Sequence, residues 1–217
     1  MNMTTKTLAA LTGLALVASS AHAAPIDITS QVSNPSFENG KTDWSAVTTA
    51  YNTRSNVAGI TPTDGLLQMW VNEGNTVYQE TGETIVAGTE YTFTIDFNPD
   101  QVNFGAFPRD VETVFVRLYG DAAGFNTAFN ETQKLGPSGT VSGVVNGQQW
   151  DTVTVSFTAT GAEDGQKLGV AFGVINNADG IQSEFDNVQL TANPIPEPSS
   201  LALLGLGGLL IGRRRRA

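Results

Sequence analysis

Polar and apolar positions alternate with a period of two along most of this chain. Residues 90–97 run Glu-Tyr-Thr-Phe-Thr-Ile-Asp-Phe, and residues 113–119 and 150–157 repeat the pattern. Each predicts a strand with one face on a core and the other in water. Residues 66–71, 76–80, 167–175 and 184–190 add four more strand candidates. Turn signals separate them: Asp64-Gly65, Glu73-Gly74-Asn75, Ala87-Gly88, Asn98-Pro99-Asp100, Asn146-Gly147, Asp164-Gly165 and Ala178-Asp179-Gly180. No segment sustains an amphipathic helical period over three turns, and no internal repeat is present. The pattern predicts an all-β fold, an antiparallel β-sandwich of the jelly-roll kind.

Both ends break the alternation. Residues 1–23 have the layout of a secretory signal peptide: Lys6, an apolar stretch over 8–17 interrupted by Thr12 and Gly13, and the small-x-small site Ala21-His22-Ala23. At the other end Ile195-Pro196-Glu197-Pro198 and Ser199-Ser200 precede an apolar run over 201–211, then Gly212 and Arg213, Arg214, Arg215 and Arg216. Eleven apolar residues in a helix span roughly 16 Å, about half of a ~30 Å hydrocarbon core, and the glycines weaken that helix further. The arginines hold the cytoplasmic side, leaving the rest of the chain outside the inner membrane. The predicted division is therefore 1–23 signal peptide, 24–193 folded domain and 194–217 sorting tail, with a flanking helix at each end.

The tail resembles the PEP-CTERM sorting signal of Gram-negative bacteria, with Ile195 where members of that family commonly carry Val. The resemblance implies recognition of Pro196, Glu197 and Pro198 by an exosortase-type membrane protease. It further implies removal of the tail and release to the cell surface or an exopolysaccharide matrix.

Charge and composition narrow the chemistry. The chain of 217 residues has a formal net charge of −10, no Cys and one His, which lies in the signal segment. Between residues 24 and 193 six basic side chains face twenty acidic ones, which excludes gripping nucleic acid by counterion release. A mature chain without His or Cys builds no Ser-His-Asp or Cys-His nucleophile and offers none of the usual zinc or iron ligands. Carboxylate, hydroxyl, amide and aromatic groups remain.

The opening Asn34-Pro35-Ser36-Phe37-Glu38-Asn39-Gly40 with Trp44, and the closing Phe185-Asp186-Asn187-Val188-Gln189-Leu190, resemble the start and finish of jelly-roll carbohydrate-binding modules of families 4 and 9, within the galactose-binding-like superfamily. Tyr78-Gln79-Glu80 followed by Ala87-Gly88-Thr89-Glu90-Tyr91-Thr92-Phe93 fits the same type. In a jelly roll the first and last elements meet, which brings Glu38 and Asp186 together; two such carboxylates repel unless a cation separates them. The resemblance implies a structural Ca2+ at this corner, held by Glu38 and Asp186 with carbonyls near Asn34 or Ser36. The alternative is that both carboxylates are surface or cap residues.

Sugar recognition needs aromatic faces and a few planar polar groups. Candidates are Trp44, Tyr51, Trp70, Tyr78, Tyr119 and Trp150, each of which also fits a core position. Trp70 sits in an unbroken apolar run that hides its face, whereas counting by twos places Trp150 with Thr152 and Thr154 on the wet face. Residues 98–110, with Phe104, Phe107 and Arg109, make a long connection suited to a binding loop. Arg109 meets either a sugar or its neighbours Asp110 and Glu112, and Gln79 and Gln182 offer amides to hydroxyls. The expected function is non-enzymatic binding of extracellular polysaccharide. A purely structural or adhesive matrix role is the alternative; ice binding through the Thr rows and glycoside hydrolysis by a carboxylate pair stand behind it.

Overall fold

The computed structural model describes residues 24–56, 59–99, 112–121, 133–143, 149–175 and 182–195. These form β1 (Ile26–Asp27), β2 (Ser45–Ala46), β3 (Tyr51–Arg54), β4 (Gln68–Asn72), β5 (Thr76–Thr84), β6 (Thr89–Pro99), β7 (Glu112–Asp121), β8 (Lys134–Gly143), β9 (Asp151–Thr158), β10 (Lys167–Val174) and β11 (Gln182–Pro194), with one 3-10 turn at Thr29–Gln31. A six-stranded sheet runs β3-β4-β11-β6-β9, with β1 also on β11, and a five-stranded sheet runs β2-β5-β10-β7-β8. Pairing between the strands is antiparallel throughout. From β4 to β11 the chain changes sheet at every connection except β7 to β8, so the core lies between two sheets built from interleaved strands.

Alternation decides what enters that core. In β6 the side chains of Tyr91, Phe93, Ile95 and Phe97 are buried, while Thr92, Thr94 and Asp96 between them are not. In β10 Leu168, Val170, Phe172 and Val174 face inward, which leaves Gly169, Ala171 and Gly173 on the outside. Aromatic packing locks the opening segment onto the sheets: Phe37 and Trp44 lie 5.4 Å apart between ring centroids, Trp44 and Phe172 5.4 Å, and Phe172 and Phe185 4.8 Å.

All seven expected strands are present, with β5, β6, β7 and β11 longer than their patterns. Asn98-Pro99 is not a turn. Both residues belong to β6, opposite Glu184 and Ser183 of β11, and Pro99 stands at the strand's last position, where a missing N–H is tolerated. The turn signals at 146–147 and 178–180 lie outside the described residues. β3 and β8 carry no strand signal: β8 contains Pro137 and three glycines, and it is an edge strand, where such residues are admitted. A Cβ at Gly139 would overlap the Thr154 carbonyl of β9, so glycine there permits the close approach of β8 to β9. The two expected flanking helices also fall outside the described residues, among which no helix is long and apolar enough to cross a membrane.

Candidate functional site

The first and last motifs meet. The Val188 N–H donates to the Pro35 carbonyl at 3.1 Å, and left-handed backbone at Asn34, Phe37 and Asn187 turns the chain tightly on both sides of this contact. Glu38 and Asp186 grip one loop, 63–67, from its two ends. Glu38 Oε1 accepts from the Leu66 and Leu67 N–H groups, each at 2.7 Å. Asp186 Oδ2 accepts from the Asp64 N–H at 2.8 Å and the Thr63 hydroxyl at 3.3 Å, and its Oδ1 accepts from the Asn187 N–H at 2.8 Å. Burial pushes the Asp186 carboxyl up to about 6 despite these donors. The Asn34 amide donates to the carbonyls of Gly40 (2.9 Å) and Thr42 (3.2 Å), and the Asn34 carbonyl accepts from the Trp44 indole at 3.0 Å. Among the described residues no three or more Asp, Glu, His or Cys side chains gather in a metal-holding group. A calcium ion at this corner would therefore draw on two carboxylates and complete its shell with main-chain oxygens.

The outer face of the five-stranded sheet is built around β10. Its small residues Gly169, Ala171 and Gly173 form a floor, with Tyr78 of β5 and Arg117 of β7 on either side of Ala171. Glu80 and Tyr119 flank Gly169 in the same way, and Thr76 and Phe115 flank Gly173. Tyr78, Ala171 and Tyr119 make an apolar cluster of their own, apart from the main core. The Arg117 guanidinium lies 4.3 Å from the Phe115 ring centroid and donates from Nε to the Ser138 hydroxyl of β8 at 2.9 Å. Glu80 and Thr140 are exposed and Arg117 and Ser138 half-buried, so carboxylate, guanidinium and hydroxyls edge a nearly enclosed aromatic floor.

On the outer face of the six-stranded sheet, Asn52, Trp70, Glu184 and Asn98 lie side by side across β3, β4, β11 and β6. Arg54 pairs with the Glu184 carboxylate, whose second oxygen accepts from Gln68 Nε2 at 3.0 Å. Further along this face cross-strand hydroxyl pairs join Thr92 to Ser156 (2.8 Å) and Thr94 to Thr154 (3.1 Å), and Thr152 bonds Asp96 (2.9 Å).

The sequence-predicted residues are thus divided among core, corner and both outer faces. Trp44 is only 4% exposed and belongs to the core, with its indole N–H spent on a carbonyl. Gln79 does not meet solvent: its amide accepts from the Ser33 N–H at 2.7 Å and donates to the carbonyls of Ser33 (2.9 Å) and Asp43 (3.0 Å), clipping the opening segment to β5. Tyr51 is half-buried and its hydroxyl donates to the Trp44 carbonyl at 3.1 Å. Trp70 and Trp150 are both half-buried, and the Trp150 indole donates to the Thr61 carbonyl at 2.8 Å. Tyr78 and Tyr119 share the five-stranded outer face, and Gln182 is buried in β11. Arg109, Phe104, Phe107 and the motif Pro196, Glu197 and Pro198 lie outside the described residues. Sequence reasoning missed Phe115, Arg117 and Ser138. The signal was the Gly-x-Ala-x-Gly spacing of 169–173, which marks a strand with nothing bulky on one face.

Comparison with known proteins fits both the tail and the sandwich. The PEP-CTERM protein-sorting motif matches residues 194–216. No match is found among the curated proteins. Of the solved structures, a cyclase from Fischerella sp. TAU is similar at 18% identity and TM-score 0.61, covering 80% of this chain and 100% of its own. The CBM22-2 xylan-binding domain from Paenibacillus barcinonensis Xyn10C is similar at 14% identity and TM-score 0.51, covering 73% of this chain and 97% of its own. TmCBM61, solved in complex with beta-1,4-galactotriose, is similar at 13% identity and TM-score 0.50, covering 74% of this chain and 96% of its own. At these identities the likeness is one of fold. The chain ends in a PEP-CTERM sorting motif and carries an all-β sandwich shared by carbohydrate-binding modules and a cyclase.

Proposed function

We propose that this protein is exported, processed by an exosortase-type protease and placed at the cell surface or in the extracellular matrix. There its jelly-roll domain binds polysaccharide on the outer face of the five-stranded sheet without catalysing a reaction. The jelly-roll assignment draws support from the interleaved strand order of the two sheets. The observation that carries the binding reading is the outer row on either side of β10, Tyr78 and Glu80 on one side and Phe115, Arg117 and Tyr119 on the other, where exposed Glu80 and half-buried Arg117 edge the enclosed rings. A pyranose ring offers an apolar C–H face and a rim of hydroxyls. The guanidinium, carboxylate and hydroxyls at the margin of the enclosed rings complement that rim of hydroxyls. The galactotriose complex and the xylan-binding domain among the similar folds favour the same ligand class.

Affinity electrophoresis in gels containing galactan, xylan or the producing cell's own exopolysaccharide tests the reading. Retardation is expected with at least one polymer and is lost in Tyr78→Ala and in Arg117→Ala. Equal mobility in every gel by a protein that melts cooperatively overturns it in favour of a structural matrix role. Release of reducing ends from any of these polymers, abolished by one carboxylate substitution, overturns the non-enzymatic part.

Calcium at the Glu38 and Asp186 corner is the second element of the proposal. Its support is a pair of carboxylates on one loop, one of them deeply buried. A melting temperature that rises with CaCl2 and falls with EDTA is expected; identical melting curves overturn it, leaving N–H donors as sufficient partners.

A further inference from the structure

The end of the sandwich from which the chain leaves for its tail is apolar. Two turns and the last strand lie against one another there. The Gly88 N–H donates to the Ala159 carbonyl at 2.9 Å, the Gly165 N–H to the Ile85 carbonyl at 2.9 Å, and the Gly88 carbonyl accepts from the Ile195 N–H at 2.8 Å. Val86 is 54% exposed and Ile195 37%, and Ile26, across β11 opposite Ala192, is 53% exposed. Ala87, Ala162 and Pro194 beside them are exposed as well. The two acidic residues of the 159–166 turn are drawn back onto main chain. Asp164 Oδ1 accepts from the Ala87 N–H at 2.9 Å, and Glu163 Oε2 from the Thr160 N–H at 2.8 Å. Clustered exposed apolar side chains mark a contact with protein or lipid.

The length of the tether decides between them. Five residues, 196–200, separate Ile195 from the apolar run over 201–211, and fully extended they reach at most about 20 Å. β6 alone, with its eleven residues, is about 36 Å long. A tail seated in the bilayer therefore keeps this end of the sandwich at the lipid and the opposite end away from it. We propose that this end rests on the bilayer surface, with Ile26, Val86 and Ile195 against the acyl boundary, for as long as the tail is uncut. The inference rests on the membrane-seated tail of the reading above. The contact is apolar rather than electrostatic, since Lys167, the exposed cation nearest these turns, is bonded to the Thr84 hydroxyl at 3.2 Å. One myristoyl chain by itself holds a protein to a membrane only marginally. Three partly exposed aliphatic side chains bury less, so the contact depends on the local concentration that the tether imposes and ends when the tail is cut.

The chain has no cysteine, so Val86→Cys supplies a single thiol for a polarity-sensitive dye. The labelled chain with its tail is reconstituted into vesicles of phosphatidylcholine and phosphatidylethanolamine, and flotation reports whether the tail inserts. Blue-shifted emission is expected from position 86 and water-like emission from Thr154→Cys, on the outer face of β9. Adding phosphatidylglycerol is expected to leave the shift as it is. Ile26→Glu together with Ile195→Glu is expected to abolish the shift while flotation and cooperative melting persist. Flotation with water-like emission at position 86 overturns the docking and leaves the inserted tail standing. Failure to float overturns the inserted tail and the docking with it. A shift of equal size at position 154, or one that survives the double substitution, also overturns the docking. A shift lost on dilution to one chain per vesicle overturns it in favour of a second copy on the same patch.

Discussion

Asp186 shows how one side chain links the corner's geometry to the pH dependence of the whole domain. Burial lifts its carboxyl from 3.8 to about 6 in the folded protein. Between those values the native state keeps a proton that the unfolded chain has released. The contribution of this group to the unfolding free energy is therefore fully present below about pH 4 and is lost as pH rises through the folded value, a decline on the order of 3 kcal/mol. Urea unfolding across that range, without calcium, is expected to show the decline, and Asp186→Asn to flatten it. A bound cation would hold the carboxylate ionised and remove the decline. Gln79 makes a different kind of residue-scale prediction. Its three hydrogen bonds all go to main-chain groups of Ser33 and Asp43, so Gln79→Ala releases the opening segment from β5 and is expected to lose about 1–2 kcal/mol in denaturant unfolding. Polysaccharide retardation by the folded fraction stays as it was. The role of Gln79 was illegible in sequence, because an amide within a strand looks alike whether it meets water, sugar or a distant loop.

Strands were legible where the pattern had contrast. β6 and β9 alternate threonines or charges with large apolar side chains, so period two alone fixes both their existence and their faces, whereas β7 carries Phe115 and Tyr119 opposite its core row of Val114, Val116 and Leu118 and its faces were less legible. β8 has little contrast, and its place is set by pairing with β7 and by contact with β9, neither of which leaves a local trace. Asn98-Pro99 misled for the opposite reason, since a strong local turn signal was overridden by pairing with β11. β10 is the element on which the binding face depends. A methyl group at Gly173 would overlap the Asn75 carbonyl, which is main chain and does not yield, and would press on the Phe115 ring. Gly173→Ala is accordingly expected to cost about 2 kcal/mol, seen as a lower denaturation midpoint. Ala171→Leu overpacks the buried cluster of Tyr78, Ala171 and Tyr119 and displaces the side chains that edge it, at a cost of about 1–3 kcal/mol. Its expected mark is loss of polysaccharide retardation while cooperative melting persists.

At the scale of the molecule, the ends of the folded body converge. Ile26 of β1 pairs with Ala192 of β11, and the Ile195 N–H donates to the Gly88 carbonyl at 2.8 Å. The sorting motif Pro196-Glu197-Pro198 thus begins at the residue after the body's last described hydrogen bond. Little slack exists in which a protease can take hold upstream, because residues 191–194 are paired to β6 and 191–192 to β1 as well. On the proposed route, recognition rests on residues from 196 onward. Replacing Pro196, Glu197 and Pro198 together by alanine is expected to leave a membrane-associated species that still carries its four arginines. Substitutions at the outward-facing Thr191 are expected to leave processing intact. Mass spectrometry of membrane and released fractions separates these outcomes: the native product should begin after Ala23 and end close to Pro198. A released protein that retains Arg213 to Arg216, or a triple-alanine variant trimmed like the native chain, overturns the proposed processing route and with it the extracellular setting proposed for polysaccharide binding.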